Sequence, residues 1–223
     1  TLFDEDGDTP DWIELYNPGT VAIDLGGYGI TDNPLEPYKW VFPAIEILPQ
    51  DRLLIYASGK DRQEWVAHWE TIIDWGNNWN YFLGNNPPPD NWNQQNFDDA
   101  GWLNGPSGFG YGDEDDATEV DPVMSLYVRH EFNVNNIESL LKIVIHVDYD
   151  DAFVAYINGE EIARANIGTP GVPPPYNQGA DSWREAEMYQ GGAPDEYMID
   201  SVQSLLENGS NVIAIQVHNF NIE

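Results

Sequence analysis

The 223-residue chain contains no cysteine. Disulfides, thiolate metal sites and cysteine nucleophiles are therefore excluded. Basic residues are nearly as scarce: eight Lys and Arg stand against 39 Asp and Glu, a formal net charge of -31. Binding nucleic acid or an anionic membrane requires Lys and Arg to displace counterions, so both partner classes are excluded. No apolar run reaches 18 residues, so no helical membrane insertion is expected. Helical periodicity is scarce too. Catalytic signatures are missing: the four histidines, His68, His130, His146 and His218, show no H-x-x-x-H spacing, and no G-x-S-x-G or phosphate-binding loop occurs.

Bulky apolar residues are plentiful. Nine Trp, twelve Tyr and eight Phe supply enough core material for a folded chain despite the charge. Short alternating segments recur at 12–16, 39–42, 52–57, 126–132, 142–149, 152–157 and 211–218. Gly, Pro, Asn and Asp separate them, which predicts an all-β chain of sandwich or barrel type. In AFVAYINGEEIAR the pair Asn158-Gly159 predicts a hairpin, because both residues tolerate the positive φ of a type I′ turn. A short helix is predicted over 199–207, and a helical turn over 96–102. The β-pattern lapses between Trp65 and Asp74, so we expect domains at 1–70 and 71–223. The Pro-rich stretches 85–91 and 168–179 read as loops, because patterned segments flank them closely.

The run DEDGDTPDWIELYNPG (4–19), then VAIDLGGYGITDNP, KWVFP and LLIYASGKDR, resembles the bacterial lamin-tail domain over residues 3–62. The resemblance implies a small immunoglobulin-like β-sandwich. That family opens with a strand before the acidic loop, and here the loop comes first. Residues 71–223 resemble the galactose-binding-like β jelly roll, in the sugar-binding type found in secreted multidomain bacterial proteins. The matching segments are Phe97-Asp98-Asp99-Ala100-Gly101-Trp102, Phe109–Asp113, Tyr127–Phe132, Asp148–Gly159 and Asn211–Asn219. That family continues to a final strand beyond the last segment. The chain also begins without Met, and we expect it to be a piece of a longer precursor. Strands donated by neighbouring copies would complete both folds and build a filament.

Three acidic groups are candidate sites. Asp4, Asp6 and Asp8 alternate as in a calcium loop, and hard carboxylate oxygens suit Ca²⁺. Gly7 and Leu15 break the EF-hand pattern, so the alternative is a solvated loop. Asp113, Asp115, Asp116, Glu119 and Asp121 form a second candidate for structural Ca²⁺. In the third, Asp148 and Asp150 share one face of a strand and Asp151 takes the other. Two readings stand here: carbohydrate hydroxyl binding, with Arg164 and Trp183, or a hydrogen-bonded turn before the hairpin. Trp75, Trp79, Trp92 and Trp183 are candidate platforms for sugar rings, whereas Trp12, Trp40 and Trp102 are assigned to packing.

Neither resembled family is catalytic, so we expect a non-enzymatic pair of modules, secreted or at a bacterial cell surface. Its expected partner is carbohydrate or a cell-surface polymer. The alternatives are a filament subunit joined to its own copies by strand exchange, and accessory domains of an enzyme whose catalytic part lies elsewhere.

Overall fold

A computed structural model describes residues 9–60, 69–112, 116–200 and 202–222. The fold is all-β, as the alternation predicts. It divides into two compact units, one ending at Trp69 and the next beginning at Glu70.

Unit 1 is a set of nested antiparallel pairs. Strands β1 (Trp12–Tyr16), β2 (Ile23–Asp24) and β3 (Gly29–Ile30) run one way in sequence order. Strands β4 (Trp40–Val41), β5 (Glu46–Ile47) and β6 (Arg52–Tyr56) return, pairing as β3–β4, β2–β5 and β1–β6. Phe42, Ile47 and Leu53 form the buried centre, with Leu15, Leu25, Ile30 and Trp40 packed around it. Asn17 is fully buried and ties the nest together. Its side-chain amide donates to the carbonyls of Val21 (2.7 Å) and Ile47 (2.9 Å), and its Oδ1 accepts from Gly19 N (2.9 Å). A buried polar group is tolerable only when bonded in this way. Trp12 departs from the packing role assigned to it. It lies on the outward side of β1 and is 50% exposed.

Unit 2 is built on a six-stranded antiparallel sheet. In chain order its strands are β7 (Asn78–Leu83), β8 (Leu103–Pro106), β11 (Ser125–Val134), β13 (Ala152–Ile157), β14 (Glu160–Ala165) and β16 (Gly209–His218). Across the sheet they lie β14-β13-β16-β11-β7-β8. Two short strands, β9 (Phe109–Gly110) and β10 (Thr118–Glu119), pair in parallel beside it, and β12 (Ile143–Val147) pairs with β15 (Asp195–Ile199).

Both faces of the large sheet are covered. On one, Trp79, Leu126, Val128, Phe132 and Ile213 pack with Ile143, Ile145 and the short helix α1 (Val202–Leu205). On the other, Tyr127, Val154, Tyr156 and Ala214 meet Trp92, Phe97, Trp102, Ile167 and Tyr176. Those last five side chains come from the Asn- and Pro-rich stretches 84–102 and 166–184, which act as lids on the sheet. Every residue of β13 is buried for this reason, so AFVAYI is apolar throughout.

A lid of irregular backbone leaves carbonyls and amides that must find partners. Arg129, buried on this face, supplies them for the first lid. Its Nε donates to Asp99 Oδ2 (2.7 Å), and its Nη1 donates to the carbonyls of Trp92 and Gln94. Asn80 holds the other Asp99 oxygen at 2.9 Å. The predicted hairpin turn is present, with Asn158 at φ 50° and Gly159 at φ 93°. The helix is shorter than predicted. Ile199 belongs to β15, and beyond α1 the side chain of Asn211 takes both backbone groups of Glu207 while Asn158 takes the Leu205 carbonyl. Residues 96–102 form turns instead of a helical segment, with Ala100 N donating to Asp98 Oδ1 and Trp102 N to the Asp99 carbonyl.

Replacing Arg129 by Leu leaves Asp99 and the lid carbonyls without their donor. The substitution is expected to destabilise unit 2 by about 3–5 kcal/mol, read from urea unfolding followed by tryptophan fluorescence. Asp99→Asn leaves the buried Arg129 charge without its carboxylate and is expected to cost a similar amount.

Candidate functional site

The segment between β12 and β13 reads Asp148-Tyr149-Asp150-Asp151, and it forms one end of the large sheet. Asp148 accepts from the backbone N–H of Glu187 (3.0 Å) and Met188 (2.7 Å). Asp151 is buried, and each of its oxygens takes a different backbone N–H: Oδ1 from Arg184 (2.6 Å), Oδ2 from Phe220 (2.6 Å). Its own N–H donates to the His218 carbonyl at 3.1 Å. These two carboxylates are pegs for segments distant in sequence, not the closing bonds of a local turn. The guanidinium of Arg184 lies 3.8 Å from the Tyr149 ring centre, donates to the Tyr149 carbonyl and approaches Asp195 at 3.5 Å.

Asp151 thereby fixes the backbone beside two large exposed rings. Trp183 is 68% exposed and directly precedes Arg184; Phe220 is 44% exposed. Trp183 is also held from the other side. Ser182 Oγ donates to Asn166 Oδ1 (2.7 Å), and the Asn166 amide donates to the Ser182 carbonyl. A bulky apolar ring in water on a backbone fastened at both neighbours is a preorganised contact surface. Tyr111 and Asn219 adjoin, with Asn219 Nδ2 donating to the Tyr111 hydroxyl at 3.1 Å.

Burial of its carboxyl pushes Asp150 up to about 6, and the charges of Asp151 and Glu185 add to the effect while Arg184 opposes it. The residue as a whole is exposed, so water screens part of this perturbation. Burial, then Asp150 and Asp151, likewise raises the Tyr111 phenol. His218 is buried nearby. Burial drives it down to about 4, and its Nδ1 faces the Gln178 carbonyl at 2.7 Å. It is a neutral core histidine.

Three expected site residues belong elsewhere. Trp79 is no surface platform: it lies at an inward position of β7, buried, with its ring 5.1 Å from that of His130. Trp92 is likewise buried under the first lid, edge-on to Tyr127. Arg164 is engaged in holding the second lid. It makes a two-pronged ion pair with Glu161 (2.9 and 2.8 Å) and donates to the carbonyls of Ile167 and Val172. Trp75, by contrast, is exposed. Sequence reasoning passed over Tyr111 and Phe220, whose place here depends on contacts across the fold. The Asp pair at the head of the hairpin was the available signal.

The calcium candidates Asp4, Asp6, Asp8, Asp113 and Asp115 lie outside the described residues. Asp116 packs its carboxylate against Gly110, where a Cβ would fall 2.4 Å from it. Among the described residues no three His, Asp or Glu side chains converge as a metal ion would require. A cleft of about 430 Å³ opens elsewhere on unit 2. Its lining includes Glu160, Glu161 and Asp200 but no aromatic ring. Among the described residues no helix is long and apolar enough to cross a membrane.

No family model matches the chain, and no curated protein matches it. Among solved structures it is similar to β-glucuronidases. That of an uncultured Clostridium sp. is 18% identical over 67% of this chain and 22% of that one, with TM-score 0.42. Bacteroides uniformis β-glucuronidase 2 is 13% identical over 68% and 15%, TM-score 0.42. The Ruminococcus gnavus β-glucuronidase is 11% identical over 67% and 21%, TM-score 0.42. The matched part thus spans less than a quarter of those chains.

Asp150 titrates above the 3.8 of a free aspartate. Protonation is therefore what folding favours: its contribution is complete below about pH 4 and is lost as pH rises through about 6. Asp150→Asn should be more stable than the parent at pH 7, with the gap closing below pH 4, as measured by thermal melts across that range.

Proposed function

We propose that the chain is a non-catalytic pair of β-modules that binds neutral carbohydrate outside the cell or at its surface, as part of a larger protein. In this reading unit 1 is lamin-tail-like and unit 2 is a galactose-binding-like jelly roll. The observation that carries it is the arrangement around Asp151, one buried carboxylate fastening the backbone beside the exposed rings of Trp183 and Phe220.

A pyranose has an apolar C–H face and a rim of hydroxyls. An aromatic ring matches the first, and nearby carboxylates and amides match the second. Trp183 and Phe220 supply the rings. Asp150 and the Tyr111 hydroxyl, held by the Asn219 amide, supply hydrogen-bonding groups at the same end of the sheet. The net charge of -31 favours a neutral ligand over a uronate or sulfated one.

Immobilised neutral oligosaccharides of glucose, galactose and mannose, with a polyuronate as comparison, test this directly. Trp183→Ala is expected to weaken binding of a neutral glycan about tenfold while leaving the melting temperature unchanged, since the ring is exposed. Failure to retain any neutral glycan, or full retention by both Trp183→Ala and Phe220→Ala, would overturn the reading.

A further inference from the structure

The stretch Asp24-Leu25-Gly26-Gly27-Tyr28-Gly29 builds a second concave surface, on unit 1. Tyr28 N donates to the Leu25 carbonyl (2.9 Å), closing a tight turn with Gly27 at its third position and φ 82°. That geometry needs glycine. The Tyr28 carbonyl accepts from Phe42 N (2.9 Å), so the tyrosine backbone is held in both directions.

The connection from β3 back to β4 is equally organised. Asn33 N donates to Thr31 Oγ1 (2.9 Å), Glu36 N to the Asn33 carbonyl (3.0 Å) and Lys39 N to the Glu36 carbonyl (3.1 Å). Lys39 and Asp32 neutralise each other at 2.7 Å. The loop so formed lays Pro37 and Tyr38 directly over Gly29. A Cβ there would sit 2.3 Å from the Pro37 carbonyl oxygen and 2.8 Å from Tyr38 Cδ1. Only glycine permits the approach.

The result is a cleft of about 390 Å³ lined by Gly26, Gly27, Tyr28, Gly29, Pro37 and Tyr38. None of these side chains carries a charge, in a chain of net charge -31. Tyr28 is 65% and Tyr38 69% exposed, so both rings meet water on fixed backbone. The volume lies in the range of small-molecule pockets. Two exposed tyrosine rings with phenolic edges suit a ligand with one apolar face and a polar rim.

We propose that this cleft is a second carbohydrate site, taking a pyranose ring of a neutral glycan between Tyr28 and Tyr38, independently of the site at Trp183. The tyrosine rings stack on the sugar, and their hydroxyls meet its hydroxyls.

Calorimetric titration of the full chain with cellohexaose, mannohexaose and galactohexaose separates the two sites. The expected result is two equivalents bound by the parent chain to at least one of the three probes and one by Trp183→Ala. In the Trp183→Ala background, adding Tyr38→Ala or Tyr28→Ala should weaken the remaining site about tenfold, and adding Tyr28→Phe by less than threefold. Complete loss of binding in Trp183→Ala alone, or tyrosine variants that bind like their parent, would overturn this site and leave the first standing. Loss in the tyrosine variants with Trp183→Ala silent would uphold this site and remove the other. Binding of none of the three by any form overturns both. Melting temperatures should not move, because both rings are exposed.

Discussion

The first lid on the outer face of unit 2 depends on a guanidinium kept out of water. Arg129 stands in the middle of the six-stranded sheet, where an unpaired charge would be severely destabilising. Asp99 and the carbonyls of the 84–102 stretch surround it instead. Isolated buried ion pairs add little net stability, because desolvation cancels attraction. The role here is geometric. A long irregular segment becomes a lid with a single position, because its polar backbone has one place where it can be satisfied. Trp92, Phe97 and Trp102 then fall onto Tyr127 and Tyr156, and the sheet acquires a second buried face.

The same device recurs at each irregular segment. Arg164 with Glu161 holds the second lid, Asp148 and Asp151 hold the 182–188 stretch, and Asn17 holds the nest of unit 1. This accounts for the fate of the scarce cations. All four basic side chains of unit 2 are paired with carboxylates: Arg129 with Asp99, Lys142 with Asp200, Arg164 with Glu161, Arg184 with Asp195. The other acidic residues far outnumber these pairs and leave the chain strongly negative.

Much of this was legible in the sequence where the signal is local. Alternation located β1, β4, β6, β11, β12, β13 and β16 but passed over β7, β8 and β15, and Asn158-Gly159 located the hairpin. The continuous apolar run of β13 was less informative, since it signals burial on both faces without saying what covers them. The tryptophans show where local reasoning ends. Trp79, Tyr81 and Leu83 alternate inward, so the burial of Trp79 could have been inferred from its own strand. Trp92 sits in a Pro- and Asn-rich stretch that reads as solvent-exposed loop, and only the sheet beneath makes it core. Trp12 alternates with Ile13 and falls on the open side of its two-stranded pair. The pegs at Asp148 and Asp151 bond chain more than thirty residues away, and no spacing rule encodes that.

The shape of these surfaces also constrains what they can hold. An exposed ring contacts one face of a sugar, and the gain from one such contact is offset by lost translational and rotational freedom. A free monosaccharide would therefore bind weakly to Trp183 or to the tyrosine cleft. Polymeric ligands change the balance, because a second contact on the same strand forms at high effective concentration and adds affinity without any new chemistry. Rings fixed on fastened backbone strengthen each contact by reducing the ordering it requires. In the proposed reading, a chain that holds its loops still and leaves aromatic rings exposed on them suits a repeating neutral polymer more than a small solute.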